Sequence, residues 1–502
     1  MIFTRRTDHA SLPAINGCHL RRVSAPVLAT PDAGQLGRCR AWGVAGTMCV
    51  AVGGLGAGAG PAEGPLARPD LPVDLFTAGV AVAYFGLVLL VAAWWRLGRL
   101  VRQRPPRPEE LLTTLLMWAA PLLLAPPVFS RDVYSYLAQG AMVGAGLDVY
   151  RDGPAALGGP FAAEVPAIWQ HTATPYGPAF LLLATAVATL VGGHVTLGVL
   201  LMRLVALTGV TLLARSLPPL ARRCGVAPAA ALWLAALNPL VLLHLVGGAH
   251  NDAVLVGLLA AGLAAAAAGR PALGAVAVTL AALVKVPAAV GLAGVALIWA
   301  SSAAGRWPRL RALAGTALVA VGTAVGVTWV AGTGFGWVGA LRTPVTTDSW
   351  SLTSALGRAT ETWLAALDAS LGTAPVTGWR LAGMCAAVAA ALLVWHRRRA
   401  VGPVEGVGLV LGGVVVFGPA VRPWYLLWAV VPLAAAAPHG RAGRLAAATS
   451  AVLALVVLPD GFAPHPGTLG FAVVGGCLAV ALLVMTAFAT QPDDDLAAGL
   501  AS

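Results

Sequence analysis

Long apolar runs recur along this chain and constrain its fold more than any other feature. A helix needs about twenty apolar residues to cross the roughly 30 Å hydrocarbon core of a bilayer. Together the runs predict an all-α polytopic membrane protein with roughly 13 or 14 transmembrane helices. They lie near 41–60, 73–95, 111–128, 176–192, 196–217, 228–247, 252–268, 272–300, 312–332, 376–395, 405–421, 423–437, 444–458 and 467–489.

Composition agrees with this class. The chain is 58% hydrophobic and 10% charged, whereas about a quarter of the residues of a soluble domain are charged. A net charge of +12 could indicate that the protein binds nucleic acid. The arginines, however, fall in short clusters between apolar runs, which is the positive-inside pattern of membrane proteins. We therefore expect membrane lipids and no nucleic acid as partners. The six cysteines are scattered and indicate neither a disulfide framework nor a zinc site.

The arginine clusters also predict orientation. Residues 1–40 are interpreted as a disordered basic cytoplasmic tail, 41–490 as the transmembrane domain and 491–502 as an acidic tail. With the clusters at 96–107, 306–311 and 397–399 in the cytoplasm, the segments 129–173 and 333–375 become outer loops. The helices of 174–217 place Arg215, Arg222 and Arg223 outside, against the rule. Either one run is re-entrant or the rule fails there.

Polar chemistry is concentrated in the first outer loop. Polar groups without partners cost several kcal/mol in lipid, so this segment must sit in water or line a polar cavity. Its candidate site residues are Arg131, Asp132, Tyr134, Tyr136, Asp148, Tyr150, Trp169 and, just beyond it, Tyr176.

Asp132 follows the third apolar run directly, which fixes its backbone at the membrane edge. A carboxylate there can act as a general base toward a hydroxyl. Arg131 is expected to keep it ionised, while partial burial raises its pKa. The alternative is an aspartate that caps a helix.

Further candidates lie between later runs. His250, Asn251 and Asp252 form a tripeptide that faces the same side as Asp132 or, alternatively, caps the next helix. One His and one Asp at this spacing give only a weak metal signal, so no metal site is predicted. No cofactor is predicted, and a divalent cation is left open.

Lys285 is the only lysine, flanked by apolar residues. A charge at that depth is expensive and usually functional, although the side chain can also snorkel to an interface. Pro287 predicts a break that divides 272–300 into two half-helices, with Lys285 at the vertex.

Arg422 follows a run that leaves the Arg397 cluster, and its guanidinium suits bidentate contact with a phosphate. Trp424 and Tyr425 beside it are read either as part of the site or as an aromatic belt. One carboxylate and isolated cations on one face indicate an enzyme that uses a lipid-linked phosphate donor.

Six motifs in this order resemble the polyprenol-phosphomannose-dependent α-(1→6)-mannosyltransferases of actinobacterial envelopes: S-R-D-V-Y-S-Y-L-A-Q-G, G-L-D-V-Y, T-P-Y-G-P, G-G-A-H-N-D-A, V-K-V-P and R-P-W-Y-L-L-W. The resemblance covers about 110–440. It implies the GT-C glycosyltransferase fold, a plasma-membrane location with the active site on the extracytoplasmic face, and inverting transfer of mannose from polyprenyl-phosphate-mannose onto a lipid-anchored α-(1→6)-mannan of the lipomannan and lipoarabinomannan core. Asp132 then corresponds to the loop carboxylate that deprotonates the acceptor, and Lys285 and Arg422 are predicted to bind the donor phosphate.

Two alternatives stay open. A GT-C transferase for another polyprenyl-phosphate sugar, arabinose or glucose, has the same sequence features. A secondary transporter also has many helices and buried charges near broken segments. It predicts internal repeats, and the sequence contains no convincing one.

Overall fold

The computed structural model describes residues 33–61, 73–302, 304–340, 349, 351–367, 369, 372–456 and 466–489, and within these ranges the regular structure is entirely helical. The helices are α1 (Ala33–Ala57), α2 (Val73–Gln103), α3 (Pro108–Leu123), α4 (Asp132–Gly144), α5 (Gly159–Ala163), α6 (Pro178–Val191), α7 (Val195–Arg223), α8 (Pro228–Ala231), α9 (Asp252–Ala267), α10 (Pro271–Ala282), α11 (Val290–Ser301), α12 (Arg306–Ala331), α13 (Leu352–Ala365), α14 (Ala374–His396), α15 (Arg398–Val401), α16 (Pro403–Phe417), α17 (Leu426–Ala436), α18 (Arg441–Val456) and α19 (Pro466–Ala489).

Short segments of other helical types complete the structure. Two π-helical segments follow α8, and several 3₁₀ turns connect longer helices. The π segments are Leu232–Ala236 and Val241–Gly247, and the 3₁₀ turns are Pro154–Ala156, Ala167–Trp169, Val286–Ala289, Gly336–Val338 and Pro423–Tyr425.

Five helices of the described chain are long and apolar enough to cross a membrane, and a sixth span is possible where Pro228–Ala236 and Val241–Gly247 meet at a 60° bend. The other apolar helices are shorter. Within the described residues each predicted apolar run contains helix, as expected of an all-helical polytopic membrane protein. The count of 13 or 14 spans and the GT-C arrangement stay predictions.

Helix α1 begins at Ala33, inside the segment that the sequence predicts to be a disordered tail. The boundary at residue 40 is therefore wrong. Arg40 donates hydrogen bonds to Thr114 Oγ1 at 3.0 Å and to the Glu110 carbonyl at 2.8 Å, which fasten α1 to the start of α3. Arg40 thus serves a packing role that charge clustering alone does not reveal.

Small residues bring α1 and α2 together. A Cβ atom added to Gly46 would lie 2.9 Å from the Gly86 carbonyl oxygen, and one added to Gly86 would lie 2.5 Å from the Gly46 carbonyl oxygen. A side chain at either position would force the helices apart. Backbone contact through glycine is typical of helix pairs in membranes.

Four interruptions between helices meet at one place in the fold and create the candidate site. They are the α3–α4 connection, the residues that precede α9, the α10–α11 break and the α16–α17 connection. Lys285 has an extended backbone (φ −154°) directly between α10 and the turn that leads into α11. The predicted division into two half-helices at Lys285 is confirmed.

The T-P-Y-G-P segment closes against the α10–α11 break. The Gly177 and Ala179 amides donate to the carbonyls of Val284 and Leu283, each at 3.2 Å. These bonds satisfy carbonyl groups that the end of α10 leaves without helical partners. A Cβ on Gly177 would overlap the Leu283 backbone, so this approach requires glycine.

Candidate active site

A cavity of about 240 Å³ lies where the four interruptions meet. Its polar side includes the predicted general base and both predicted phosphate-binding cations. Apolar residues that follow Lys285 and others at the end of α16 also line it. The lining comprises Asp132, Ser135, Gln139, Trp169, Thr172, Ala173, Pro175, Tyr176, Lys285, Val286, Pro287, Ala340, Val414, Val415, Gly418, Pro419, Ala420, Arg422, Tyr425 and Trp428.

Asp132 is the first residue of α4, and its side chain is 28% exposed. One carboxylate oxygen, Oδ2, lies 3.4 Å from Nδ1 of His250. Burial raises the pKa of Asp132, while the positive charges of Arg422 and Lys285 and a hydrogen bond with Ser130 act in the opposite direction. A carboxylate with a raised pKa inside a cavity is suited to accept a proton.

Arg131 has a different partner from the one the sequence suggested. Its guanidinium forms a 2.6 Å ion pair with Glu164 and donates to the Glu164 and Gly60 carbonyls. It also lies over the Tyr134 ring at 4.8 Å. The expectation that Arg131 keeps Asp132 ionised is therefore wrong, because Arg422 and Lys285 supply that charge. Arg131 instead fastens the start of α4 to the outer loop.

His250 and Asn251 form a buried support behind Asp132. The Tyr136 hydroxyl lies 3.2 Å from His250 Nδ1 and 3.4 Å from Asn251 Oδ1, to which it donates. The His250 ring packs on Trp424 with centroids 3.9 Å apart. Asn251 occupies the cap position of α9, but its side chain makes no capping hydrogen bond. The capping interpretation of Asn251 is thus wrong.

Asp252 and Lys285 form a buried ion pair. Lys285 Nζ lies 2.9 Å from Asp252 Oδ2, and Trp428 Nε1 donates to Oδ1 at 2.6 Å. The ammonium is flanked by the rings of Tyr425 at 4.6 Å and Tyr176 at 5.5 Å, both favourable cation–π distances. With its side chain 12% exposed, Lys285 does not snorkel to an interface.

Arg422 is half-buried at the start of the 3₁₀ turn before α17 and lines the cavity. Across the described ranges, no oxygen accepts a hydrogen bond from its guanidinium, which leaves those donors to face the cavity. Tyr425 stacks on Trp428 with centroids 4.3 Å apart, and Trp424 lies against His250. These aromatic rings pack inside the site, so the interpretation as a membrane belt is wrong for them.

The remaining predicted residues divide between three places. Trp169 and Tyr176 line the cavity, whereas the Tyr134 hydroxyl donates to the Ala59 carbonyl at 2.6 Å. Asp148 accepts a hydrogen bond from the Tyr150 amide, and both line a neighbouring cavity against residues 333–340. The Tyr150 hydroxyl donates to the Tyr176 carbonyl at 3.1 Å and connects the two cavities.

Sequence reasoning missed two polar residues that support the site. Arg203 in α7 is 2% exposed and donates to the carbonyls of Leu123, at the end of α3, and Gly247, just before the His250 segment. Gln139 lines the cavity and accepts a hydrogen bond from Thr174 at 2.9 Å. Arg203 carried a usable signal, since a charge in the middle of an apolar run is expensive and therefore usually paired.

The described side chains around the cavity do not form a set of metal ligands. In the portions of the chain that the structure describes, no three His, Cys, Asp or Glu side chains converge as metal ligands. Asp132 and His250 approach each other without a third such group. The geometry provides acid–base and cationic groups rather than a ligand set.

Two family models match this chain. Residues 40–301 match the family model described as the N-terminal domain of alpha-(1→6)-mannopyranosyltransferase, and residues 353–485 match the MptB C-terminal domain. A probable alpha-(1→6)-mannopyranosyltransferase of Mycolicibacterium smegmatis is 38% identical over 447 residues, which are 79% of this chain and 78% of that protein. No solved structure matches the chain.

Two further relatives cover still more of the chain. Alpha-(1→6)-mannopyranosyltransferase A of Mycobacterium tuberculosis is 37% identical over 88% of this chain and 89% of its own length. Alpha-(1→6)-mannopyranosyltransferase B of Corynebacterium glutamicum is 34% identical over 88% and 80%, respectively. Helical membrane architecture and these matches together define a membrane hexosyltransferase. The chain belongs to the alpha-(1→6)-mannopyranosyltransferase family.

Proposed function

We propose that this protein transfers mannose from polyprenyl-phosphate-mannose onto an α-(1→6)-mannan acceptor, with inversion, at the extracytoplasmic face of the cell membrane. The observation that carries the proposal is the cavity in which the Asp132 carboxylate, the Arg422 guanidinium and the Lys285 ammonium meet. A base for a sugar hydroxyl and cations for a phosphate are the two requirements of this transfer.

The apolar side of the cavity supports a lipid-linked donor. Val286, Pro287, Val414, Val415 and Pro419 line the same cavity as the charged groups. A polyprenyl chain has only apolar surface to bury, so it is stabilised by contact with such residues. A water-soluble nucleotide sugar would leave this wall without a partner.

The positive groups support a phosphate at the leaving side. The Arg422 guanidinium has donors in a planar fork that matches two phosphate oxygens. Lys285 adds positive charge, although the Asp252 carboxylate partly neutralises it at 2.9 Å. Arg422 is therefore assigned as the principal phosphate-binding residue and Lys285 as the second.

A single available carboxylate supports inversion. Asp132 is the only acidic residue in the cavity lining described above, and both oxygens of nearby Asp252 are hydrogen-bonded. The acceptor oxygen attacks the anomeric carbon while its proton passes to Asp132. The bond between that carbon and the phosphate oxygen breaks, and the polyprenyl phosphate leaves with the electron pair. A covalent route requires a second carboxylate as nucleophile.

Purified protein in lipid nanodiscs tests the donor and the stereochemistry together. We expect polyprenyl-phosphate-β-mannose and a short α-(1→6)-mannoside to yield a new α-linkage by NMR, and GDP-mannose to yield none. Polyprenyl-phosphate-linked glucose and arabinose serve as matched donors. Faster transfer of either sugar would assign a different donor, and a β-linked product would contradict inversion.

The membrane side is tested separately. A cysteine-free variant with His171→Cys, at an exposed loop position near the cavity, should react with an impermeant maleimide in intact cells. Arg306→Cys, at the start of α12 in a predicted cytoplasmic cluster, is the matched control and should react only after permeabilisation. The opposite pattern would place the cavity on the cytoplasmic face.

A further inference from the structure

A second place in the fold, which shares no residue with the active-site cavity, combines positive charge with an apolar groove. Arg38 of α1 and Arg96 and Arg99 of α2 line one cleft of about 460 Å³, which α19 closes with Thr486 and Ala487. We name it the basic cleft. Among the described residues, none of its three arginines has a carboxylate within ion-pair distance.

An apolar groove continues from the basic cleft along α2. It is about 330 Å³ in volume and shares Arg96 and Arg99 with the cleft. We name it the α2 groove. Apart from the two shared arginines it is lined entirely by apolar side chains from α2, α18 and α19: Val88, Val91, Ala92, Trp95, Leu455, Val480 and Leu483.

The length of the α2 groove matches one leaflet of a bilayer. From Arg99 to Val88 the helix rises about 16 Å, at 1.5 Å per residue. Half of the hydrocarbon core of a typical bilayer is about 15 Å. A ligand with its charged end at the arginines and an acyl chain in the groove would therefore have the orientation of a lipid in the surrounding leaflet.

We propose that the basic cleft and the α2 groove bind an anionic glycerophospholipid, with its phosphate at Arg38, Arg96 and Arg99 and an acyl chain along α2. Basic pockets between membrane helices are a recurrent way to hold anionic headgroups. The positive-inside rule accounts for arginines at this end of α2, but not for their convergence from two helices on one cleft that opens into an apolar groove. The site is separate from the proposed catalytic cavity, and its test does not depend on transferase activity.

Two other occupants are chemically reasonable and serve as outcomes of the test. Inorganic phosphate carries the charge but would leave the α2 groove unfilled. The acidic residues Asp493, Asp494 and Asp495 follow α19 in the sequence and are also anionic. A lipid is favoured because it alone supplies both a negative charge and an apolar chain.

Native mass spectrometry of detergent-purified protein, titrated with phosphatidylglycerol or phosphatidylcholine, measures binding directly. We expect a bound phosphatidylglycerol whose affinity falls roughly 100-fold in the variant Arg38→Gln/Arg96→Gln/Arg99→Gln. Each arginine near an anionic headgroup contributes about 1 kcal/mol, and 1.4 kcal/mol corresponds to a tenfold change. Equal binding of phosphatidylcholine would overturn the proposal.

Matched variants separate the contributions of charge and groove. Arg306→Gln/Arg309→Gln/Arg311→Gln removes three exposed arginines from α12, and we expect it to bind phosphatidylglycerol like the wild type. Ala92→Phe fills the α2 groove, leaves every arginine in place and should weaken binding at least fivefold. A similar loss in the α12 variant would show only unspecific attraction and would overturn the proposal.

Thermal stability in detergent distinguishes the remaining occupants and keeps the test independent of misfolding. Phosphatidylglycerol should raise the melting temperature of the wild type, and inorganic phosphate at matched charge should not. Equal stabilisation by phosphate would assign a simple anion site. If the wild type binds no phosphatidylglycerol and Asp493→Asn/Asp494→Asn/Asp495→Asn does, the acidic segment occupies the cleft and the proposal is overturned.

Discussion

Helices α4 and α9 begin alike, yet their first residues, Asp132 and Asp252, have different environments. In each case a non-glycine residue with positive φ lies three positions earlier: Phe129 at 62° and Ala249 at 54°. This conformation is uncommon for residues other than glycine and turns the chain sharply before the helix starts. The two turns bring both aspartates to the same cavity region.

The aspartates differ in what surrounds them. Asp252 is fully buried, and Lys285 and Trp428 occupy both of its oxygens. Asp132 is 28% exposed and has the weaker contact of 3.4 Å with His250. A carboxylate whose oxygens are fully paired has a structural role, whereas one that faces a cavity can exchange a proton. The comparison therefore assigns chemistry to Asp132 and site assembly to Asp252.

The largest expected effect tests this division directly. Asp132→Asn keeps the shape of the side chain but cannot accept the acceptor proton, so transfer should fall about 10²-fold to 10⁴-fold. Donor binding and melting temperature should stay near those of the wild type. The measurement is the initial rate in nanodiscs with polyprenyl-phosphate-mannose. Near-normal transfer by a folded Asn variant would remove Asp132 as the base, and Asp148 would be examined next.

Loss of the buried pair should instead appear as instability. Asp252→Ala leaves the Lys285 ammonium without its partner, and breaking a buried pair from one side costs about 3 to 5 kcal/mol. Denaturant or thermal unfolding in detergent measures this loss. In Lys285→Met/Asp252→Asn no charge remains, and the Asn oxygen can still accept from Trp428. We expect this double variant to regain much of the stability, and additive losses would contradict a coupled pair.

The polar residues of the site can be recognised in the sequence because each interrupts an apolar run. Lys285 stood out as the only lysine, and Pro287 predicted its break. The ion-pair partner of Lys285 cannot be recognised in the sequence, because the lysine and Asp252 are 33 positions apart. The partner of Arg131 is hidden for the same reason: proximity in the sequence suggests Asp132, whereas the guanidinium forms an ion pair with Glu164 across the outer loop.

Helix positions were also easier to predict than helix limits or spans. Apolar runs predict where the helices lie. Residues 33–40 are too polar to be recognised as part of such a run, yet they form the first two turns of α1. Hydrogen bonds from Arg40 to α3 stabilise this start, and such tertiary contacts leave no local pattern. Short helices such as α6 show why apolar runs alone do not fix the number of spans.

Arg422 tests the cationic side of the same cavity. Arg422→Gln retains hydrogen-bond donors without the charge, so we expect kcat/KM for the donor to fall roughly 10²-fold, the cost of one preorganised electrostatic contact. Arg151→Gln is the matched control, since this exposed arginine of the outer loop lies outside the cavity lining. Steady-state kinetics with varied donor measures both. An equal loss in the control would indicate a general effect of charge.

The pH dependence of transfer gives a smaller but more specific effect. Because burial raises the pKa of Asp132, its base form is lost as pH falls through that raised pKa. The rate should then decline up to tenfold per pH unit on the acid side. Arg422→Gln removes a charge that favours the ionised form, so the acid-side midpoint should move to higher pH. Arg131→Gln should leave it unchanged, and a shift in that control would contradict the assigned pairing.

The smallest expected effect concerns the turn that precedes Asp252. Ala249→Gly removes the strain of a positive φ, which is about 1 to 2 kcal/mol. The substitution also removes a buried methyl group and increases the conformational entropy of the unfolded chain, and these two losses of stability together are of similar size. Stability should change by less than about 0.5 kcal/mol as these contributions cancel. Ala264→Gly, the same substitution within regular α9, has no strain to relieve and should cost about 1 kcal/mol. If thermal unfolding shows that both variants lose the same stability, the turn at Ala249 stores no strain. The starts of α4 and α9 would then resemble each other in backbone shape but not in stored strain.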